Sequence, residues 1–459
     1  MSEEATLDDF VDSIDADDEE LERPENRFWG QVPTDWELVD GSDVYEVNPN
    51  PKPEEEPNTY IEMGALDTEL PWPRYFGERN TSEYSGKTFS AGDTLFARIT
   101  PCTENGKAAL VPEMKTSVGI GSTEYAVLSP KQEKIIPWYL YYVSKSHPVH
   151  DYAISRMRGS TGRQRVPFSV FRRELNIGLP PLEEQRKIAS VLYNIDTLIK
   201  KTRQYISKLY DVKSGLLKHL LSNGYYNHEQ WQTINNKNAL VMAKSSKLPA
   251  SWEIQEAEEV SEIKTGHTPS RSKEEYWGGD IPWIDVEDIR NVDGNVIKST
   301  DEMITESGLK NSGAKLLPKG TLISCRMRAI GVSAILGESM TTNQDFVSFE
   351  CDRNVISPEY LLYLLEFATP QLSRLTVGST HPKIQLSFYP ILKIPLPSIA
   401  EQKKIVDVIS SVENKILKEK EYVHRINSLK AGVLQDLLTG KIRTNDTSIE
   451  VPKEITKYG

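Results

Sequence analysis

The chain repeats itself, and no other feature of the sequence narrows the possible folds as much. VPTDWE at Val32–Glu37 returns as LPASWE at Leu248–Glu253. The triplet Gly159-Ser160-Thr161 returns as Gly378-Ser379-Thr380. LPPLEEQRKIASVL at Leu179–Leu192 returns as LPSIAEQKKIVDVI at Leu396–Ile409, at an offset of 217, and SGLLKHLLSNG from Ser214 meets AGVLQDLLTGK from Ala431 at the same offset. The two copies, Val32 to Gly224 and Leu248 to Gly440, are of equal length. Between these anchors the offset drifts: AGDTL at Ala91–Leu95 meets KGTL at Lys319–Leu322 only after a shift to about 228. The ends of the repeat are kept and the middles differ. One scaffold has been duplicated, with variable loops set into its globular part.

Two regimes follow one another in each copy. The first and longer part mixes short β-rich runs with Gly, Pro and Asn turns and short helices. Runs of this kind are Thr94–Ile99, Glu124–Leu128, Gly320–Cys325 and Phe346–Phe349, and the helices are Pro137–Lys145 and Pro358–Phe367. That composition predicts an α+β globule. The closing part of each copy carries a different period. After Pro181 the apolar side chains are Ile188, Leu192, Ile195, Ile199, Ile206, Leu209, Leu216 and Leu220. After Pro397 they are Ile405, Ile409, Val412, Ile416, Val423, Ile426, Val433 and Leu437, each at the offset already set by the flanking motifs. A stripe sustained at 3–4 spacing over more than four heptads predicts a coiled-coil seam. Thr202 and Glu419, then Lys213 and Lys430, interrupt it at matching places. Polar residues there serve either as a register device or as a plain helix edge.

A helix of ~40 residues is about 60 Å long. Its stripe needs a partner, and the other copy's helix carries the same stripe. In a closed two-fold arrangement the two helices run antiparallel and hold the globules at opposite ends as a spacer. An ordinary helical bundle or a dimerisation rod is the plainer alternative. The expected organisation is therefore an acidic tail (1–25), a first head (26–180), a long helix (181–223), a linker (224–245), a second head (246–396), a second long helix (397–440) and a tail (441–459). The fold class is two α+β heads joined by two long antiparallel coiled-coil helices, as a tandem pseudo-repeat. DNA repeats every ~34–36 Å, so two divergent heads on a spacer suit a target with two different half-sites.

Charge first argues against nucleic acid. The net charge is −13 over 459 residues, whereas a nucleic-acid footprint is basic. Residues 1–25 hold twelve Asp/Glu and one basic residue, Arg23, which leaves 53 basic and 55 acidic side chains in the rest. The acidity belongs to the tail, which is expected to be disordered and solubilising. The start, MSEEATLDDF, has neither the basic nor the apolar region of a secretory signal. A mean hydropathy of −0.47 and the lack of a ~20-residue apolar run argue against a membrane span. Cys102, Cys325 and Cys351 are scattered, which excludes a disulfide scaffold and fits a reducing cytoplasm.

The residues now in hand resemble the DNA-specificity (S) subunit of type I restriction–modification systems, over nearly all of Arg27 to Arg443. The resemblance rests on twin starts to the long helices, IGLPPLEEQRKI at Ile177–Ile188 and IPLPSIAEQKKI at Ile394–Ile405. It rests also on TGHTPSRSKEEYWGGDIPWIDVEDI at Thr265–Ile289, on TTNQDF at Thr341–Phe346 and on the GST segments. The first head departs from the pattern: NTYIEMGAL (Asn58–Leu66) and GSTEYAVL (Gly121–Leu128) stand where YWGG…IPW would be, so its half-site should differ. The resemblance implies two target-recognition domains, each reading one half of a split, asymmetric double-stranded DNA sequence, with the helices setting the gap. It further implies docking of two modification (methyltransferase) subunits that bind S-adenosylmethionine and methylate adenine. Restriction (translocase and nuclease) subunits using ATP and Mg would join them.

The chain itself is expected to be no enzyme and to bind no cofactor or metal. It lacks an Asn/Asp-Pro-Pro-Tyr/Phe motif, and NPNP at Asn48–Pro51 has no following aromatic. Ser85-Gly86-Lys87-Thr88 lacks the upstream glycine of a P-loop, and Gly119-Ile120-Gly121 fits neither a P-loop nor a Rossmann turn. His147 and His150 have no ligand cluster beside them. Asp285, Glu287 and Asp288 imitate a nuclease set but lack a suitably spaced lysine, which leaves a solvated turn.

Candidate DNA contacts are basic and polar clusters on the variable loops. Arg156, Arg158, Arg163, Arg165, Arg172 and Arg173 surround the first GST segment, and Arg374, Thr380, His381 and Lys383 surround the second. Arg98 and Lys107 follow a strand in the first copy, as Arg326 and Arg328 do in the second. Guanidiniums suit guanine and phosphate, although any single one equally suits a surface ion pair. Asn343 and Gln344 suit adenine or a structural cap. Two other functions compete: the recognition region of a single-chain restriction–methylation enzyme, and a protein scaffold that binds no DNA. Against the former, no catalytic motif precedes Trp29, and only the short segment 444–459 follows Arg443.

Overall fold

The computed structural model describes residues 32–457, apart from 55, 82–84, 161, 236, 239, 291, 293, 379–381 and 446. The acidic tail at 1–25 lies outside the described residues. Contacts divide the chain into two units, residues 1–203 with 423–459 and residues 204–422. The division runs through both long helices rather than at their ends. Each unit therefore holds one globular head and a piece of each helix.

In the first unit, Thr94–Ala97 lies centrally in an antiparallel sheet, between Tyr125–Pro130 and Ala108–Leu110, with Tyr45–Val47 at the far edge. Both faces of this strand are buried, which explains the unbroken TLFA run. A second sheet has the order Gly77–Arg79, Asn58–Ile61, Val118–Gly121, Lys87–Ser90, with the middle pair parallel. Glu37–Asp40 pairs antiparallel with Asn176–Leu179, which ties the start of the repeat to the strand that leads into its long helix. Helix α1 (Pro137–Lys145) begins on a proline, whose missing N–H costs nothing at a helix start. A second short helix (His147–Ser155) and the strand Asn176–Leu179 separate it from the long α2 (Leu182–Asn223).

The second unit repeats this plan. Its five-stranded sheet has the order Ser261–Thr265, Phe346–Cys351, Leu322–Cys325, Ser333–Leu336, Val296–Ile297. A three-stranded sheet carries the YWGG…IPW segment as strand Trp277–Ile284, whose register breaks between Trp277 and Ile281. The glycines make that break possible: Gly278 has φ +76°, and a Cβ on Gly279 would sit 2.5 Å from the Ile304 carbonyl. Trp283 Nε1 donates to the His267 carbonyl at 3.1 Å, and the Trp277 and Trp283 rings meet edge to face. Glu253–Glu256 pairs with Lys393–Leu396, the counterpart of the first unit's terminal pair. Helices α3 (Pro358–Leu372) and α4 (Ile399–Leu438) match α1 and α2.

Two of the shared motifs are explained by contacts that both units make. Trp36 Nε1 donates to Glu184 at 2.9 Å, and Trp252 Nε1 donates to Glu401 at 3.2 Å. Gln185 accepts from the Ile136 N–H at 3.0 Å and donates to the carbonyls of Pro180 and Lys134 at 2.9 and 3.1 Å. Gln402 accepts from the Ser357 N–H at 2.9 Å and donates to Val355 and Pro397 at 2.8 and 3.0 Å. Tyr139 and Tyr360 donate to the carbonyls of Gly178 and Pro395 at 2.8 and 2.9 Å. The Trp of each copy's start and the Glu-Gln of its helix thus satisfy buried polar groups where the head joins the helix.

The helices pair antiparallel within each unit. In the first, Ile188 and Leu192 share a core with Val433 and Leu437, while Ile195 and Ile199 meet Val423 and Ile426. In the second, Leu216 and Leu220 pack with Ile405 and Ile409. Ile206, Leu209 and Val412 are half-buried and Ile416 is buried. Of the two seam interruptions, the lysines have acidic partners. Lys430 pairs with Asp196 at 2.5 Å and Tyr142 donates to that carboxylate at 2.8 Å. Lys213 pairs with Glu413 at 2.7 Å, and Tyr363 donates to Glu413 at 2.5 Å. The partners stand at matching places in the repeat, so register device is the reading the geometry favours over helix edge. Burial pushes the Asp196 carboxyl above its usual range, against the pull of Lys430.

Candidate nucleic-acid interface

In both heads one arginine joins three chain segments. Arg326 accepts, through its backbone carbonyl, from the Ile384 N–H, and its Nε returns a bond to the Ile384 carbonyl at 3.1 Å. Its own N–H donates to the Asp345 carbonyl at 2.8 Å and its Nη1 to the Gln344 carbonyl at 3.0 Å. Arg98 makes the backbone and Nε bonds of this set in the first head. It exchanges backbone and Nε bonds with Val166, the Nε bond being 2.8 Å, and donates its N–H to the Glu124 carbonyl. Arg98 stands to Arg326 at an offset of 228, Glu124 to Asp345 at 221 and Val166 to Ile384 at 218. The drift in the repeat is thus resolved into stepwise loop differences around a fixed pin.

The pinned element is a three-residue loop between strands, Ser122-Thr123-Glu124 in one head and Asn343-Gln344-Asp345 in the other. The first residue of each closes an Asx or Ser turn: the Glu124 N–H donates to Ser122 Oγ at 3.1 Å and the Asp345 N–H to Asn343 Oδ1 at 2.8 Å. The third residue takes an arginine. Arg165 binds Glu124 with Nε at 2.9 Å and Nη2 at 2.6 Å. Arg328 binds Asp345 through Nε at 2.6 Å and reaches Asp285 with Nη2 at 3.0 Å. Burial works against the Arg328 charge, but Asp345 and Asp285 outweigh it and hold the guanidinium above its usual range. Its backbone is left-handed at φ 60°, a conformation unusual for a residue with a Cβ.

The candidate contacts sort by this geometry. Arg98 is 1% exposed, with its guanidinium 3.8 Å from the Phe168 ring centroid, so it positions the loop from inside. Lys107 donates to the Met63 carbonyl at 3.2 Å. Arg156 pairs with Glu174 at 2.8 Å. Arg165 and Arg328 are engaged with carboxylates, and Asn343 is buried with its amide on Asp285 at 2.9 Å. Arg158, Arg163, Arg172, Arg173, Arg374 and Lys383 are exposed, as is Gln344. Thr380 and His381 lie outside the described residues. Asp285, read from sequence as part of a solvated turn, is instead the acceptor that organises Arg328 and Asn343. Asp288 accepts from the N–H groups of Asp285 and Asp301 at 2.7 and 2.9 Å.

The sequence reading missed Thr123 and Thr268. Thr268 donates to Gln344 Oε1 at 2.8 Å. The signal for Thr123 was the alignment of the two copies through their drifting middles. Among the described residues no group of three or more His, Cys, Asp or Glu side chains is arranged to hold a metal ion, and no helix is long and apolar enough to cross a membrane.

Two copies of one head, each with an arginine-pinned loop and different residues around it, define a duplicated recognition scaffold. The family model for the type I restriction modification DNA specificity domain matches residues 33–209 and again 249–427. The chain belongs to that family. It is similar to the type I restriction enzyme MjaIX specificity subunit of Methanocaldococcus jannaschii, 36% identical over 177 residues, which is 38% of this chain and 41% of that one. It is also similar to the putative MjaX specificity subunit of the same organism, 24% identical over 431 residues, covering 90% of this chain and 95% of the relative. A chain solved in work on assembly and conformational transition of the type I R-M system shares the fold, with a TM-score of 0.57, 19% identity and coverage of 90% and 100%. So does the S subunit from M. genitalium, at a TM-score of 0.50, 14% identity and coverage of 91% and 98%.

Proposed function

We propose that the chain is the DNA-reading subunit of a type I restriction–modification complex and performs no chemistry itself. Each head reads one half of a bipartite, asymmetric target in double-stranded DNA. The paired helices set the gap between the halves and dock two modification subunits. Those subunits carry S-adenosylmethionine and methylate adenine, and restriction subunits carry ATP and Mg. The setting is the cytoplasm.

What carries this reading is the pinned loop made twice with different residues around it. Here the internal contacts that hold the loop are kept, whereas its exposed residues diverge, as two different half-sites require. The exposed arginines near the first GST segment, Arg158 and Arg163, suit phosphate contacts that fix the head on the duplex. Footprinting of the chain with its modification subunits tests the proposal. Two protected patches about one helical turn apart are expected. Protection that ignores sequence would overturn it.

A further inference from the structure

We propose that Gln344 and Thr123, the tip residues of the two pinned loops, are the positions at which each head reads a base. The inference rests on the DNA-reading function proposed above and names where that reading is done.

Gln344 stands out by what surrounds it. The residues before it, Met340 to Asn343, and after it, Asp345 to Phe349, are all buried, yet Gln344 is exposed. An exposed polar side chain in the middle of a buried run has no part in the core. Its neighbours are committed inward: Asn343 to Asp285 and the loop turn, Asp345 to Arg328. The backbone beneath it is fixed from both sides, by Arg326 on its carbonyl at 3.0 Å and by the Asn343 N–H on the Ile284 carbonyl at 3.1 Å. Thr268 then orients the amide by donating to Oε1 at 2.8 Å. A side chain held this way loses little further entropy on binding, which is what a specific contact needs.

The chemistry of the fixed amide selects its target. Oε1 keeps a second lone pair and Nε2 has two hydrogens to donate, so the group presents a donor beside an acceptor. That pair matches N7 and N6 of adenine in the major groove. In the first head the same tip holds Thr123, half-exposed between Ser122 and Glu124, which are fixed by the turn and by Arg165. A threonine offers one hydroxyl and one methyl and cannot make the two-point contact. The two heads therefore differ in reading strength at this place: strong for adenine in the second, weak in the first.

Selection of binding sites from a random-sequence duplex library, using the full chain assembled with its modification subunits, tests this. Gln344→Ala should remove the adenine preference at one position of one half-site, lower affinity for the original site about 5- to 100-fold, and leave the other half-site unchanged. Gln344→Glu keeps the shape but replaces the donor with an acceptor, so the preference at that position should move toward cytosine, whose N4 donates. A merely structural role for Gln344 would not exchange one base for another. If both variants return the wild-type consensus, the assignment is wrong while the function stands. If the wild-type chain selects no split site, the function itself fails, and the assignment with it.

Discussion

Removing the lysine from one seam pair should expose how strongly the helix register is specified. Lys430 pairs with Asp196 across the helices of the first unit, where the Asp196 side chain is 0% exposed and that of Lys430 13%. Lys430 also donates to the Glu69 carbonyl at 2.8 Å. Lys430→Met keeps the length of the side chain and deletes the charge. Asp196 is then left with the Tyr142 hydroxyl and the weaker pull of Lys145. Breaking a buried pair on one side costs about 3–5 kcal/mol, and the partial exposure of Lys430 places the expected loss at about 3 kcal/mol. Removing both charges, as in Lys430→Met with Asp196→Leu, should recover part of that, because the buried charge is gone while the Tyr142 hydroxyl loses its acceptor. The sign with pH follows from Asp196, whose folded pKa is already raised. A raised carboxyl makes the native state bind more protons than the unfolded chain, so stability falls as pH rises through the window between the two values. Without Lys430 the folded value rises further, so the variant should lose more stability between pH 5 and 7 than the wild type does. Urea unfolding followed by tryptophan fluorescence, at both pH values, measures this. A single-variant cost below about 1 kcal/mol at pH 7, or one equal at pH 5 and 7, would refute the reasoning.

Gln402→Ala should destabilise the second unit by about 3 kcal/mol, because one N–H and two carbonyls lose their partner at once; thermal unfolding with a drop of less than half that size would count against the clip. Burial pushes the Asp93 carboxyl up to about 6, so its contribution opposes folding increasingly as pH rises from about 4 to 6. Asp93→Asn should accordingly flatten the stability profile across that window by about 2–3 kcal/mol, read from urea midpoints, and an unchanged profile would exclude Asp93 as the source. Arg163→Ala should weaken DNA binding by about 1 kcal/mol and reduce the salt slope by about one ion; a wild-type salt dependence in a titration would remove Arg163 from the phosphate contacts.

The parts of the fold that were legible in the sequence are those where the two copies share internal contacts. Trp36 and Trp252, Glu184 and Glu401, and Gln185 and Gln402 recur because they satisfy the same buried groups twice. The helices were legible from periodicity, since an apolar stripe at 3–4 spacing has one way to be buried. The sequence left the seam lysines open between two readings, because their partners, Asp196 and Glu413, sit on the other helix. The loop arginines were harder. Arg165 lies 41 residues from Glu124 and Arg98 lies 68 from Val166, so a count of charges along the chain cannot show that these side chains are already engaged. By residue type Asn343 and Gln344 suit the same two roles, adenine contact or cap, whereas the turn takes one inward and leaves the other at the surface. Which neighbour points out is decided by strand register and turn chemistry together.

The claim that two heads read two halves across a helical spacer is tested most directly by lengthening the spacer. Seven residues, two helical turns, inserted at facing positions of α2 and α4 would preserve the stripe and add about 10 Å, or about three base pairs of DNA. Mapping methylated adenines in cells that carry this chain with its modification subunits reads out the recognised motif. The account predicts the same two half-sites with a gap longer by about three base pairs. An unchanged gap, or a motif with no gap in the wild type, would contradict it.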